Sequence, residues 1–416
     1  MSGRRVFTWA YRSVVGLTSV AVLGAIGYGW ATYRSAVNGI VTDNVIEAAP
    51  PAPNARSTRD LPRTEMTILL VGLDSRTDTR GNPLPQDVLD MLRAGVANGE
   101  QNTDTMMVVH IPADPAKQAF AVSLPRDSYV DIAGGFGMHK LNSAYARAKV
   151  AKAAELRASG ASQSTVDSES VTAGRKNLIA TVSALTGLRI DHYAEINLFG
   201  FSEITRAVGG VPVCLNGPVD DSYSGAHFPA GPQVLQGVDA LKFVRQRHGL
   251  PGGDLDRVRR QQAFLAGLAN RMFSAGTLAD PTRLTSLVDA LTKAVVLDQN
   301  WDLLAFAQQV AGLTGNHVQF STIPTIRPDL STPYDGSAVE VDSARVRAFV
   351  QGLLTGTPAD TGPGTGKAAP PGGTPAPGLS PDGSAKAEVR VKPGTTAPMG
   401  HTADQPINAG GVPCVN

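Results

Sequence analysis

The chain has 416 residues and a formal net charge of +1, so no basic excess marks nucleic acid as a partner. A hydrophobic fraction of 42% supports a substantial core, but residues 356–416 are too rich in Pro and Gly to share in it. One large α/β domain with flanking segments is expected rather than two domains.

Arg4, Arg5 and Arg12 precede an uncharged run of 21 residues, Ser13–Tyr33, closed by Arg34. At about 1.5 Å per residue the run spans roughly one hydrocarbon core. It exceeds the ~7–15 apolar residues of a cleaved signal peptide. Trp9, Tyr11, Trp30 and Tyr33 flank its ends, and three arginines before it against one after place the N-terminus in the cytoplasm. The predicted layout is a cytoplasmic N-terminus over 1–12, a transmembrane helix over 13–33 and an extracellular linker over 34–65. A folded domain over 66–355 and a mostly disordered tail over 356–416 follow. The two cysteines, Cys214 and Cys414, then lie outside the membrane, where an isolated pair is expected to be oxidised. Such a bridge would stitch the C-terminus onto the domain.

Three apolar runs read as buried strands with charges at their ends. The first ends in Asp74 and Arg76, the second (102–111) carries Asp104 at its entrance, and the third (120–124) leads through Pro125 to Arg126 and Asp127. Pro125 cannot donate to a ladder, so Arg126 begins a loop. Strand ends are where open α/β sheets place their ligands. Helices are expected over 87–93, 140–157 and 171–186, with 158–170 a polar loop. A strand over 192–197, a helix to Val208 and a strand over 209–215 follow. Asp220 and Asp221 read as a solvated turn rather than cation ligands, and His139, His192, His227 and His248 as structural. Residues 284–295 and 301–313 read as packing helices, 318–324 and 338–341 as strands, and 343–354 as a last helix. No P-loop, zinc-type Cys/His spacing or G-x-S-x-G elbow is present.

The densest charge lies at Arg245, Arg247, Arg257, Arg259 and Arg260, five arginines within 16 residues, with Asp254 and Asp256 between them. Arg245 and Arg247 would point the same way on an extended segment. Residues 255–268 read as a helix capped by Asp254 or Asp256, with Arg257, Arg260, Gln261 and Phe264 sharing a face. Planar guanidinium forks converging from two neighbouring elements suit a phosphate or pyrophosphate.

Several separate motifs resemble the LytR-CpsA-Psr family of bacterial cell-envelope proteins. They are Val-Gly-Leu-Asp-Ser-Arg at 71–76, Asn-Thr-Asp-Thr-Met-Met at 102–107, Ser-Leu-Pro-Arg-Asp at 123–127, His-Lys-Leu-Asn-Ser-Ala-Tyr at 139–145, Val-Gly-Gly-Val-Pro-Val at 208–213 and Phe-Val-Arg-Gln-Arg-His at 243–248. The resemblance runs from about Met66 to Met272. It implies a mixed central sheet flanked by helices, with a hydrophobic cleft for a polyprenyl tail and an N-terminal transmembrane helix. It implies a phosphotransferase that moves a glycopolymer from a polyprenyl-pyrophosphate carrier to a peptidoglycan hydroxyl. By position, it puts Asp74 and Asp104 on a Mg²⁺ or Mn²⁺ and Arg126, Arg245 and Arg247 on the phosphates, with Arg260 and Gln261 at the same site. Many members carry Arg two residues before the Asp104 position, where this chain has Asn102; that contact is either missing or supplied by Arg76 or Arg257. Phe199, Phe201, Leu265 and Leu268 are candidates for the tail, and Asp104 and Asp127 for the base. A phosphatase using water, or a non-catalytic binder of lipid-linked polymer, would use the same residues. The Ala/Gly/Pro-rich composition suggests an actinobacterial envelope.

Overall fold

The fold is described from a computed structural model over residues 39–46, 64–79, 81–92, 94–95, 102–114, 116–246, 248–250, 254–272, 281–299, 301–310, 318–356, 407–408 and 412–416. The predicted transmembrane run and most of the predicted tail lie outside these residues. No helix among them is long and apolar enough to cross a membrane.

In chain order the elements are β1 (Val41–Asp43), β2 (Met66–Asp74), α1 (Gln86–Met91), β3 (Asn102–Ile111), β4 (Ala119–Ser123), β5 (Ser128–Ile132), β6 (Gly137–Lys140), α2 (Ser143–Ala158) and α3 (Gln163–Thr186). There follow β7 (His192–Asn197), α4 (Leu198–Ala207), β8 (Val211–Leu215), β9 (Val219–Asp221), β10 (Ala226–Phe228), β11 (Gly231–Leu235), α5 (Gly237–Arg245) and α6 (Asp254–Met272). The remainder are α7 (Pro281–Ala294), β12 (Val295–Asp298), α8 (Leu303–Val310), β13 (Val318–Thr322), β14 (Arg327–Thr332), β15 (Gly336–Glu340), α9 (Ser343–Thr355), β16 (Ile407–Asn408) and β17 (Cys414–Val415).

The expected mixed sheet is present, in the order β1-β12-β7-β2-β3-β4-β13-β16. Its first face is closed: Leu69, Val71, Met106 and Val108 pack with Tyr145 of α2, Leu178 and Val182 of α3 and Val346 of α9. The opposite face is covered in part by α6, where Met107, Ala121 and Phe320 meet Ala266. Burial along β2 therefore alternates toward its end, with Leu69, Val71 and Leu73 buried while Leu70, Gly72 and Asp74 are half-buried. A sequence-continuous apolar run thus serves two unequal surfaces.

Several expectations need correction. Val41–Asp43, within the predicted linker, is an edge strand pairing in parallel with β12. It is held by Asp43, whose carboxylate takes a hydrogen bond of 2.8 Å from Arg175. The predicted loop over 158–170 is largely the start of α3, because Ser162 accepts from the Thr165 N–H and caps the helix. The end of the predicted tail belongs to the fold: β16 pairs with β13 and β17 with β8. There the expected Cys214–Cys414 disulfide forms, with the two Cα atoms 4.3 Å apart. Finally, Arg245 closes a helix rather than lying on an extended segment. Asp239 in the first turn of α5 and Lys242 and Arg245 in its last complement the helix dipole.

Candidate active site

The antiparallel pairing of β2 with β3, and of β3 with β4, brings the end of β2, the start of β3 and the end of β4 to one edge of the sheet. Asp74 pairs in register with Asn102. The register then slips, Gly72 facing Thr105 while Leu73 faces Thr103, so Asp104 is the extra residue of a β-bulge. A bulge re-aims the side chain it inserts, and here it turns Asp104 toward Arg126. The Arg126 Nη1 donates to Asp104 Oδ1 at 2.6 Å, while its Nε lies 3.5 Å from Asp127 Oδ2. Lys140 adds a second cation, its Nζ 3.5 Å from the other oxygen of Asp127.

From Arg126 a chain of contacts closes a ring around this edge. Three residues back, Ser123 Oγ accepts from Gln262 Nε2 at 3.0 Å, and the same amide reaches the Ser321 carbonyl and Thr322 Oγ1. These bonds clamp α6 to β4 and β13. Its neighbour Gln261 donates to the Val244 carbonyl at 3.3 Å, fixing α6 against the end of α5. Arg245 then reaches the Leu92 carbonyl at 3.2 Å, and Arg76 Nε reaches the Ala94 carbonyl at 2.8 Å. Both guanidinium groups are thereby drawn to the turn after α1. Arg76 leads back to Asp74, and Asn197 pins this loop by donating to the Thr77 carbonyl at 2.8 Å. Asp74, Arg76, Asp104, Arg126, Arg245 and Gln261 therefore lie on elements that these contacts link.

Other predicted residues part company with them. Arg260 is 1% exposed; it donates to the Asn416 main-chain oxygen and to Gln246 Oε1, with its guanidinium 5.1 Å from the Phe243 ring centroid. Burial pushes its pKa down to about 10, against the pull of Asp256 and Asp221. It anchors the C-terminal strand, so it leaves the predicted phosphate set. Arg257 is also buried, which leaves half-buried Arg76 as the better substitute where relatives carry Arg at the Asn102 position. Arg247 lies outside the described residues. Gln262, Asn197 and Lys140 were not singled out in the sequence; the Gln-Gln pair and the cation beside Asn142 were the available signals.

Beside the ring the half-covered face of the sheet forms an apolar trough. Leu70, Gly72, Val109, Ala194 and Ile196 are half-buried in mid-strand. Leu70 and Val109 pack both against the cluster that Leu265 joins and against the one that Trp301 and Phe306 join. Of the four candidates for a tail, Leu265 shares a cluster with Leu70 and Val109, while Phe201 and Leu268 share one with Ile196. Phe199 and Phe201 pack toward Leu89, Leu92 and Leu241, and Leu268 joins the core around Phe264. Asp74 ends the trough, and its Oδ1 is buried with no hydrogen-bond partner among the described residues. An ionised oxygen left so is costly unless a cation takes it, which suits the donor chemistry of Mg²⁺. No cluster of three or more His, Cys, Asp or Glu side chains capable of holding a metal occurs among the described residues.

These features define an α/β domain that presents guanidinium groups and carboxylates at the head of an apolar trough. The chain belongs to the LytR_cpsA_psr family, whose model matches residues 41–349 and so begins at β1. It is 45% identical over 345 residues to the cell wall biosynthesis protein LcpA of Corynebacterium glutamicum, covering 83% of this chain and 65% of that one. A probable cell wall biosynthesis protein of the same organism, LcpB, is 34% identical over 59% of this chain and 51% of its own length. The chain thus spans between half and two thirds of these two relatives. The TagU protein of Enterococcus faecalis, a polyisoprenyl-teichoic acid–peptidoglycan teichoic acid transferase, is 27% identical over 69% of this chain and 77% of its own. The crystal structure of B. subtilis TagV superposes with a TM-score of 0.50 at 24% identity, over 72% of this chain and all of that one, which establishes the shared fold.

Proposed function

We propose that this chain is a phosphotransferase of cell-wall assembly that moves a glycopolymer from a polyprenyl-pyrophosphate carrier to a peptidoglycan hydroxyl. The observation that carries the reading is the ring of Arg76, Arg126 and Arg245 at the head of the apolar trough. An amphiphile with an isoprenoid tail and a diphosphate head has the same polarity pattern. The acceptor hydroxyl oxygen forms a bond to the sugar-side phosphorus as the bond to the bridging oxygen breaks. Polyprenyl phosphate leaves, and the hydroxyl proton passes to a carboxylate, with Asp104 and Asp127 beside Arg126. Such a reaction asks the protein mainly for position and for compensation of charge on the phosphate oxygens. Arginine forks provide both and stay charged throughout the working pH range.

Asp74 and Asp104 would hold a Mg²⁺ or Mn²⁺, with phosphate oxygens and water completing its shell. The cation would neutralise phosphate charge when bound. Residues 13–33 would anchor the domain on the outer side of the membrane, where both carrier and acceptor are found.

The test is incubation of the full chain in detergent with labelled polyprenyl-pyrophosphate oligosaccharide and peptidoglycan fragments, with and without Mg²⁺. A phosphodiester-linked conjugate is expected, falling about 10²–10³-fold in Arg126→Ala, as when one transition-state donor is lost. Release of free glycan phosphate with no conjugate would replace transfer by hydrolysis, and binding without turnover would remove the enzymatic reading.

A further inference from the structure

The β9–β10 hairpin and the loop that follows α5 together carry an aromatic pair which the ring does not use. Tyr223, at the tip of the β9–β10 hairpin, is 78% exposed. Its ring nonetheless stacks on His248, with centroids 4.0 Å apart and planes inclined by 24°. The hairpin is built to hold that face outward. Asp221, buried beneath it, accepts from the Tyr223 N–H at 3.0 Å and the Ser224 hydroxyl at 2.7 Å, and lies 3.7 Å from His248 Nδ1. From the other side Gln246, itself gripped by Arg260, donates to the His248 carbonyl at 3.0 Å. On the exposed face of the hairpin, opposite Asp221, His227 Nδ1 and Asp220 Oδ1 lie 2.7 Å apart.

We propose that Tyr223 and His248 form a stacking platform for the sugar ring joined to the donor's pyrophosphate. This deepens the transferase reading and rests on it. A pyranose has an apolar face of C–H groups, which suits the negative face of an aromatic ring. Position identifies the occupant. His248 is three residues from Arg245, at most about 11 Å along the chain. The donor's first sugar is bonded directly to the phosphate those arginines would hold, so it lies within that reach whenever the donor is bound. The turn that the sequence presents as solvated thus places an aromatic face at the surface.

The experiment compares two probes on full-length protein in detergent, bare polyprenyl pyrophosphate and the same carrier bearing a short oligosaccharide. Wild type is expected to bind the second more tightly. Tyr223→Ala should erase roughly two- to tenfold of that preference, the range of a single aromatic contact, and leave the bare carrier unchanged. Tyr223→Phe should keep the preference. Equal weakening of both probes would make Tyr223 a support of the loop and overturn the inference, as would an unchanged preference in Tyr223→Ala. A loss confined to the KM of the peptidoglycan fragment would also overturn it, by moving the platform to the acceptor. Failure of wild type to bind either probe would instead sink the transferase reading beneath it.

Discussion

Two groups of arginines in this molecule have opposite fates. On the closed face of the sheet, Arg175 forms a two-pronged pair with Glu195 at 2.9 and 2.7 Å and a third bond to Asp43 at 2.8 Å. Tyr193 donates to the same Glu195 at 2.7 Å. Burial opposes the charge on Arg175, yet Glu195 more than offsets it and raises its pKa, while burial together with Glu195 raises that of Tyr193. At the open edge, Arg76 and Arg245 hold backbone carbonyls and remain half-buried. Arg126 is paired with one carboxylate at 2.6 Å and a second at 3.5 Å. The residue type is shared. A fully enclosed carboxylate partner makes an arginine structural, whereas Arg76 and Arg245 are each oriented by a main-chain carbonyl near the strand ends.

The largest expected effect breaks the interior group. Arg175→Ala would leave Glu195 and Asp43 as uncompensated carboxylates and lower stability by about 3–5 kcal/mol. Activity per folded molecule should persist, measured by denaturant unfolding alongside transfer. Arg126→Ala should do the reverse, losing transfer activity while costing less stability than Arg175→Ala, because Asp104 and Asp127 keep more surface in solvent than Glu195. If the two variants lost stability equally, the distinction between the groups would fail.

Next is the disulfide, which holds Arg260 in the structural group by way of β17. It closes a separation of 200 residues, for which chain entropy gives a ceiling of about 5 kcal/mol. Replacing both cysteines by Ser should cost roughly 2–4 kcal/mol and raise hydrogen exchange along β8 and β17. Unaltered exchange there would show that β17 holds without the bridge.

The smallest effect concerns His110, buried far from the ring and stacked on Phe120. Burial lowers its pKa, although Glu65 and Asp191 pull the other way. The unfolded chain therefore binds more protons between the folded pKa and about 6.5, and stability falls as pH drops through that window. In a melting series the slope should be shallower in His110→Gln; an identical slope would place the acid sensitivity elsewhere.

How much of this was legible in the sequence depended on the kind of signal. The strand-end motifs gave Asp74, Arg76, Asp104 and Arg126 their neighbourhood, because an apolar run flanked by charge fixes where a buried strand stops. The helix read over 255–268 was equally plain, and it runs over Asp254–Met272. Arg260 was not, since helical spacing placed it beside Gln261 and said nothing of a partner at Asn416, some 150 residues away along the chain. The strands β5, β12 and β14 escaped because they are short and take their stability from neighbours distant in sequence. Arg175 and Glu195 gave no pattern, as their pairing joins a helix to a strand through the core.

The bulge at Asp104 has a consequence for how this site can change over generations. Side chains on a strand alternate between faces, so the residue inserted opposite Gly72 and Leu73 sets which way Asp104 points. Point substitution at a neighbour cannot move that carboxylate to the other face, but loss of one residue from the strand would exchange the faces of everything between the deletion and the strand's start. Lineages that keep this chemistry must therefore preserve a count as well as an alphabet, and a one-codon deletion here should be more damaging than most replacements of the residues around it.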